Sequence, residues 1–264
     1  MQRAKGTDRI LDILEALETL PDPVSRNALA RMLGCPRSTV YALVDQMAER
    51  NWIHQTEDGG IRLGHRAGLM GLAYARQSRF EQVARALVMQ VAISTGAVTE
   101  INVIDNWMQL IMISATGSAR NYMRTVEGSR FPLPATGSAR LQLVGVPRDT
   151  LRTHISEDDL RLGNGRHLPF ETFCDEIDMA ARDGYYVASG LIEPYVGTLG
   201  TPITDPAGNC VATLSIVLPQ PDLEARMDHL IGVLRNGAAE LSDHLRVAPW
   251  PMGARARAAL FATH

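Results

Sequence analysis

Among the residues able to do chemistry, the densest grouping is Arg37, Ser38, Thr39 and Tyr41: a guanidinium, two short hydroxyls and a phenol. They follow Gly34-Cys35-Pro36 and lie opposite Val40, Leu43, Val44 and Met47, which recur at the spacing of a half-buried helix. Such groups near a helix start reach phosphate oxygens and base edges. A second grouping, LPATGSAR over residues 133–140, places small side chains where a helix begins. Small residues let a ligand approach free backbone N–H groups, which together with the helix dipole favour an anion. A close-packed helix start in a core accounts for the motif equally well. Catalytic groupings are harder to find. The seven histidines show neither HxH nor HExxH spacing, and neither GxSxG nor GxxxxGK[ST] occurs. No metal, no cofactor and no catalytic residue is therefore expected. Asp228-His229 and Asp243-His244 are adjacent pairs on one expected helix and point in different directions, as surface residues do. Glu193 and Tyr195 are placed to contact a ligand or to hydrogen-bond within their own loop.

The elements that must hold the first grouping are two short helices over residues 25–50. Leu29, Met32 and Leu33 give the first an apolar face; Gly34 suits a left-handed residue closing it, and Pro36 suits the first turn of the next. Helix, tight turn, helix is the pattern whose second helix enters the major groove of DNA. An ordinary helical hairpin inside an enzyme has the same outline. Before it, a helix over 7–20, capped by Thr7, turns Ile10, Ile13, Leu14 and Leu17 inward and stops at Pro21-Asp22-Pro23. After it, Trp52-Ile53-His54 and Ile61-Arg62-Leu63 flank Glu57-Asp58-Gly59-Gly60 and form a hairpin. This is a winged helix, with Arg62 as a phosphate contact on the wing. Residues 64–79 carry Leu69, Met70, Leu72 and Tyr74 in helical rhythm, a linker helix whose apolar groups are available to a partner subunit.

Charge gives no easy support. The net charge is −3, and within residues 1–66 nine basic side chains face nine acidic ones. DNA binding then requires that the positive groups cluster on one face or that two copies act together. At 264 residues, 45% hydrophobic and 21% charged, the chain suits two soluble globular domains. No apolar run approaches the roughly 18 residues of a membrane span, and the start MQRAKGTDR lacks a secretory apolar core. Cys35, Cys174 and Cys210 are far apart and read as reduced cytoplasmic thiols.

Residues 80–246 read as helices and strands packed together. Helices are expected over 80–95, 137–144, 148–155, 170–182 and 222–245. Strands are expected over 98–104, 108–115, 121–126, 185–192, 199–204 and 209–218, forming a mixed or antiparallel sheet. The end of the chain, APWPMGARARAALFATH, reads by default as a free tail, the alternative being a segment that docks on another subunit. TGSAR occurs twice, at 116–120 and 136–140, in unrelated surroundings, which is chance among small common residues.

The order and spacing of ALARMLGCPRSTVYALVDQMAERNWI, GGIRLG, LPATGSAR, DGYYVASG and GTPITDPAGNCVATLSIVLP resemble the IclR family of transcriptional regulators over about residues 7–246. The resemblance implies an α+β chain: a winged helix-turn-helix over 1–65, a linker helix over 66–79, a GAF-like effector-binding domain over 80–247 and a tail over 248–264. It also implies a homodimer or tetramer. Carried over position by position, it implies effector contacts at Thr136, Gly137, Ser138, Ala188, Thr198, Ser215 and Val217. Two departures, Ala188 where many members are acidic and Val217 where some have serine, predict a less polar pocket and a larger or more apolar ligand. In the reading helix, Ala42 stands where arginine is common, and Asp45 would repel phosphate if it faced the groove.

The expected function is a cytoplasmic, sequence-specific DNA-binding regulator that reads a palindrome-like double-stranded operator. Arg37, Ser38, Thr39, Tyr41 and Arg62 make the contacts, and a small organic or aromatic acid controls it without any membrane partner. Two alternatives remain at this point: an enzyme acting on a small metabolite with an N-terminal interaction module, and a DNA-binding protein whose sensor domain binds nothing.

Overall fold

The computed structural model describes residues 5–117, 125–163, 165–191 and 193–261. It divides into two compact units, Met1–Gln77 and Ser78–His264. Most of the strand expected over 121–126 and part of the first TGSAR copy lie outside the described residues; Thr125 and Val126 belong to no strand.

In the first unit, α1 (Lys5–Thr19) begins ahead of Thr7, which sits inside the helix and does not cap it. Gly6 is the weakest helix former in that first turn, at a cost of about 1 kcal/mol, too little to delay the start. Ser25 caps α2 (Arg26–Met32) by accepting a 3.2 Å hydrogen bond from the Ala28 amide. Gly34 is left-handed (φ 58°), as the turn requires, and Pro36 stands just outside α3 (Arg37–Glu49) instead of within its first turn. Strands β1 (Val24–Ser25), β2 (Ile53–Gln55) and β3 (Gly60–Leu63) form an antiparallel sheet in the order β1-β3-β2. One core of Ile13, Leu17, Leu29, Val44, Met47 and Ile61 joins the three helices to this sheet. Helix α4 (His65–Gln77) follows, with no buried residue of its own.

The second unit is built on a six-stranded, wholly antiparallel sheet. Its strands are β4 (Val98–Asp105), β5 (Met108–Thr116), β6 (Arg130–Pro132), β7 (Tyr186–Ser189), β8 (Val196–Thr204) and β9 (Cys210–Pro219). They lie in the order β6-β5-β4-β9-β8-β7. Side chains alternate across such a sheet. Ile101, Val103, Leu199, Leu214 and Ile216 form one apolar core with α5 (Arg79–Thr95) and α10 (Met227–Val247). The shorter helices α6 (Gly137–Gln142), α7 (Arg148–His154) and α8 (Phe170–Asp183) build a second core around Leu143, Leu151 and Phe173.

Two expectations fail here. The helix expected over 222–245 is two helices, α9 (Gln220–Ala225) and α10, because Arg226 leaves helical geometry between them; its guanidinium donates to the Thr95 carbonyl at 2.8 Å. The supposed free tail contains α11 (Pro251–Ala259) and docks on its own unit. Trp250 stacks on Phe80 with ring centroids 4.7 Å apart, and Leu260 is buried in the second core. Arg257 donates to the carbonyls of Gln142 and Val144 at 2.6 and 2.7 Å, satisfying oxygens that the end of α6 would otherwise leave bare. Among the described residues, no helix is long and apolar enough to cross a membrane.

Candidate functional site

The first unit presents the start of α3 outward. Arg37 and Ser38 are exposed, while Thr39 and Tyr41 are half-buried. Pro36 precedes the helix and offers no side-chain cap, so the first-turn amides of Arg37 and Ser38 stay available to an anion such as phosphate. Tyr41 is committed elsewhere: its hydroxyl donates to Asn27 Oδ1 at 2.8 Å, and the Arg26 guanidinium lies 5.5 Å from its ring centre. It fastens α3 to α2. Asp45 does not stand as a bare negative charge, because Arg26 Nη2 pairs with it at 2.7 Å. Arg62 is exposed on β3, opposite His54 on β2. The connecting turn is closed by Thr56, whose hydroxyl bonds both the Asp58 carboxylate and the Gly60 carbonyl. The Thr56 hydroxyl, with the amides of Gly60 and of Asp58 itself, holds the Asp58 carboxyl below its ordinary range. Gly60 has to be glycine: a Cβ there would lie 2.9 Å from Pro23 Cβ, between the strand and the segment that follows α1.

The second unit encloses a cavity of about 340 Å³ on the face of the sheet away from α5 and α10. All seven residues expected around a ligand line it: Thr136, Gly137, Ser138, Ala188, Thr198, Ser215 and Val217. Strand register explains the convergence. Ala188 pairs with Thr198 and Thr198 with Val217, one row across β7, β8 and β9; Gly200, Ser215 and Glu100 form the next row. The start of α6 closes the space from above. Gly137 permits that approach, since a Cβ would come within 2.9 Å of Thr198 Oγ1 and 3.1 Å of Ala188 Cβ. Arg140, wholly buried, holds the segment in place. It pairs with Glu176 at 2.7 Å and donates to the carbonyls of Pro134 and Thr136 at 2.8 and 2.6 Å.

The lining is mostly apolar, in keeping with Ala188 and Val217, and it also holds polar residues that the motifs did not single out. Glu100, Asn102 and Gln109 are buried in the lining. Asn102 Nδ2 donates to Ser215 Oγ at 2.7 Å and to Ser138 Oγ and Glu100 Oε2 at 3.3 Å. Burial drives the Glu100 carboxyl above its ordinary range, opposed by hydrogen bonds from Thr125 and Asn102. Ala188 and Val217 contribute no side-chain polar atom on either side of Thr198, and the adjoining row brings in Glu100 and Ser215. The signal was present in VTEINVID, where Glu100 and Asn102 share one face of a strand whose Ile101 and Val103 serve the core. Glu193 also lines the cavity, whereas Tyr195 is 82% exposed and takes no part in the lining.

Comparison with known proteins agrees with this division. Residues 6–57 match the family model described as the IclR helix-turn-helix domain. Residues 72–243 match the model described as the bacterial transcriptional regulator IclR C-terminal domain. The HTH-type transcriptional regulator KipR of Bacillus subtilis is 23% identical over 216 residues, 81% of this chain and 86% of that protein. An IclR transcriptional regulator from Alicyclobacillus acidocaldarius has a similar fold, with TM-score 0.77 and 16% identity over 91% of this chain and 98% of that one. An IclR homologue from Microbacterium hydrocarbonoxydans, crystallised with 4-hydroxybenzoate, superposes with TM-score 0.69 and 25% identity over 92% of this chain and 99% of that one.

Proposed function

Because this chain belongs to the IclR family of transcriptional regulators, we propose that it reads a palindrome-like operator as a homodimer under the control of a small organic or aromatic acid. The observation that carries the DNA side is the uncapped, outward start of α3, where Arg37 and Ser38 are free to meet the duplex. Arg37 supplies a fork for a base edge or phosphate, Ser38 and the first-turn amides hold a backbone phosphate, and Arg62 steadies the wing. Thr39 makes its contact through a half-exposed hydroxyl, and Tyr41 acts chiefly by fixing the angle between the two helices. With acidic and basic groups balanced in this unit, a second copy supplies the remaining attraction. The apolar face of α4, with Met70 60% and Leu72 59% exposed, is the natural place for that copy to pack.

The cavity of the second unit takes the effector. Its volume lies in the range of small-molecule sites, with a few converging polar groups set in apolar walls. The 4-hydroxybenzoate complex of one similar chain supports an aromatic acid. The ligand favours one placement of the paired reading heads by the difference in its affinity for the two arrangements. This is regulation and not catalysis, performed in the cytoplasm, where the DNA is, and without a metal or cofactor. The test is to recover and sequence the genomic fragments retained by the full-length protein at fixed salt, then repeat the selection with candidate acids present. Enrichment of one palindrome-like site that an acid alters is the expected result. Retention without sequence preference would refute the reading.

A further inference from the structure

The cavity is unusual in the charges it lacks. Among the described residues, its ionisable lining residues are Glu100 and Glu193, with no lysine, arginine or histidine. Of the described arginines close in sequence to the lining, Arg130 pairs with Asp105 at 2.6 Å, and Arg140 on α6 is committed to Glu176 and to backbone carbonyls. Four buried polar atoms of the lining have no hydrogen-bond partner: Glu100 Oε1, Asn102 Oδ1, Gln109 Nε2 and Thr198 Oγ1. A buried polar atom left in this state is destabilising, so four gathered around one cavity point to an occupant that satisfies them.

Glu100 is fixed for such a role. Its Oε2 accepts from Asn102, which Ser138 and Ser215 hold from α6 and β9, so the other oxygen, Oε1, is the one left without a partner. Resting on the proposed effector reading, we infer that the cavity binds an anionic acid with Glu100 as an uncharged carboxyl, so that one proton is held on Glu100 when the acid is bound. The proton comes from solvent and sits on Oε1. The ligand carboxylate then accepts from Glu100 O–H, Gln109 N–H and the Thr198 hydroxyl, and Asn102 Oδ1 is left to accept from a hydroxyl on the ligand. An ionised Glu100 would instead set two negative charges together in a buried space where the described residues place no cation.

Among the described residues, the other groups around Glu100 do not supply that countercharge. It pairs across the sheet with Ser114 on β5 and Ser215 on β9, Thr125 hydrogen-bonds its carboxyl, and Gln109, Ser138 and Thr198 share the cavity wall with it. On β7, the Tyr186 phenol is pushed up to about 12 by burial and stays neutral. In the segment before β6, Glu127 is paired with Arg85 at 2.7 Å. Glu193, on the loop before β8, adds only negative charge.

The experiment is calorimetric titration of the full-length protein with benzoate, 4-hydroxybenzoate and lactate between pH 5.5 and 8.5, in buffers of different ionisation heat. All three acids are ionised throughout. Wild-type affinity is expected to fall about tenfold per pH unit above the Glu100 pKa, with uptake of up to one proton per ligand bound. Glu100→Gln, a permanently uncharged isostere, is expected to bind with no pH dependence and no proton uptake. Proton uptake by the wild type tests the same step should the variant fold poorly. A probe that binds the wild type with flat pH dependence and no uptake overturns the proton linkage while leaving the effector site intact. If no acid binds even at pH 5.5, the acid-effector reading itself fails, and this inference falls with it.

Discussion

The two units put their polar groups in opposite places. Among the described residues, every buried polar or charged side chain belongs to the second unit, from Glu81 to Ser215, while the core of the first is wholly apolar. The reading head therefore keeps its candidate contacts on the outside of a plain hydrophobic core, where a side chain can change without disturbing the fold. The sensing unit keeps them inside, where each polar atom is either tied into a network or left unsatisfied. The same substitution has different meanings in the two units: outside it tests recognition, inside it tests recognition and stability together.

The largest effect expected from this contrast comes from Arg140. Arg140→Met removes the guanidinium that pairs with Glu176 and gathers the carbonyls before α6. Loss of one partner of such a pair costs about 3 kcal/mol, and urea unfolding should show it in the transition of the second unit alone. Equal loss in both units would mean that they unfold as one body, and the comparison would fail. Next comes Arg37→Ala, expected to weaken operator binding by about 1–3 kcal/mol without moving the melting temperature. Unchanged binding in gel-shift titrations at fixed salt would remove Arg37 from the contacts. A lowered melting temperature would show that the exposed face also serves the fold.

This contrast also governs what could be read in the chain beforehand. The reading head was legible because its apolar positions, Leu29, Val40, Val44 and Met47, recur at helical spacing and leave Arg37 and Ser38 on the far side. Residues lining the cavity were reached by family resemblance at small positions such as Gly137 and Ala188, which make room. Glu100 and Gln109 were not, because polar groups inside a strand read as its solvent face until a second layer is known to cover it. The tail was misread for a related reason: Trp250 and Leu260 have no periodic partner nearby, and their burial depends on Phe80 and on a distant core.

Glu100→Gln tests the inner half of the comparison without any ligand. The carboxyl is raised in the folded protein from an ordinary value near 4.5, so the native state holds its proton more tightly than the unfolded chain. That contribution is complete below the unfolded value and is lost as pH rises through the folded one. Wild type should therefore lose stability relative to Glu100→Gln across that window, by up to about 1.4 kcal/mol per pH unit. Urea midpoints of both proteins from pH 4 to 8 measure it, and parallel curves would show that Glu100 is solvated.

The smallest effect sharpens the outer half. Arg62 stands exposed on β3, and no base-reading geometry is implied for it, so its work is with the phosphate backbone. Arg62→Ala should weaken operator and unrelated duplexes by the same factor and reduce the slope of log affinity against log salt by about 1. Because the wing turn is closed by Thr56, Asp58 and Gly60 and not by Arg62, the hairpin survives the change. A loss confined to the operator would move Arg62 from holding the duplex to reading it, and the wing would join α3 as a source of specificity.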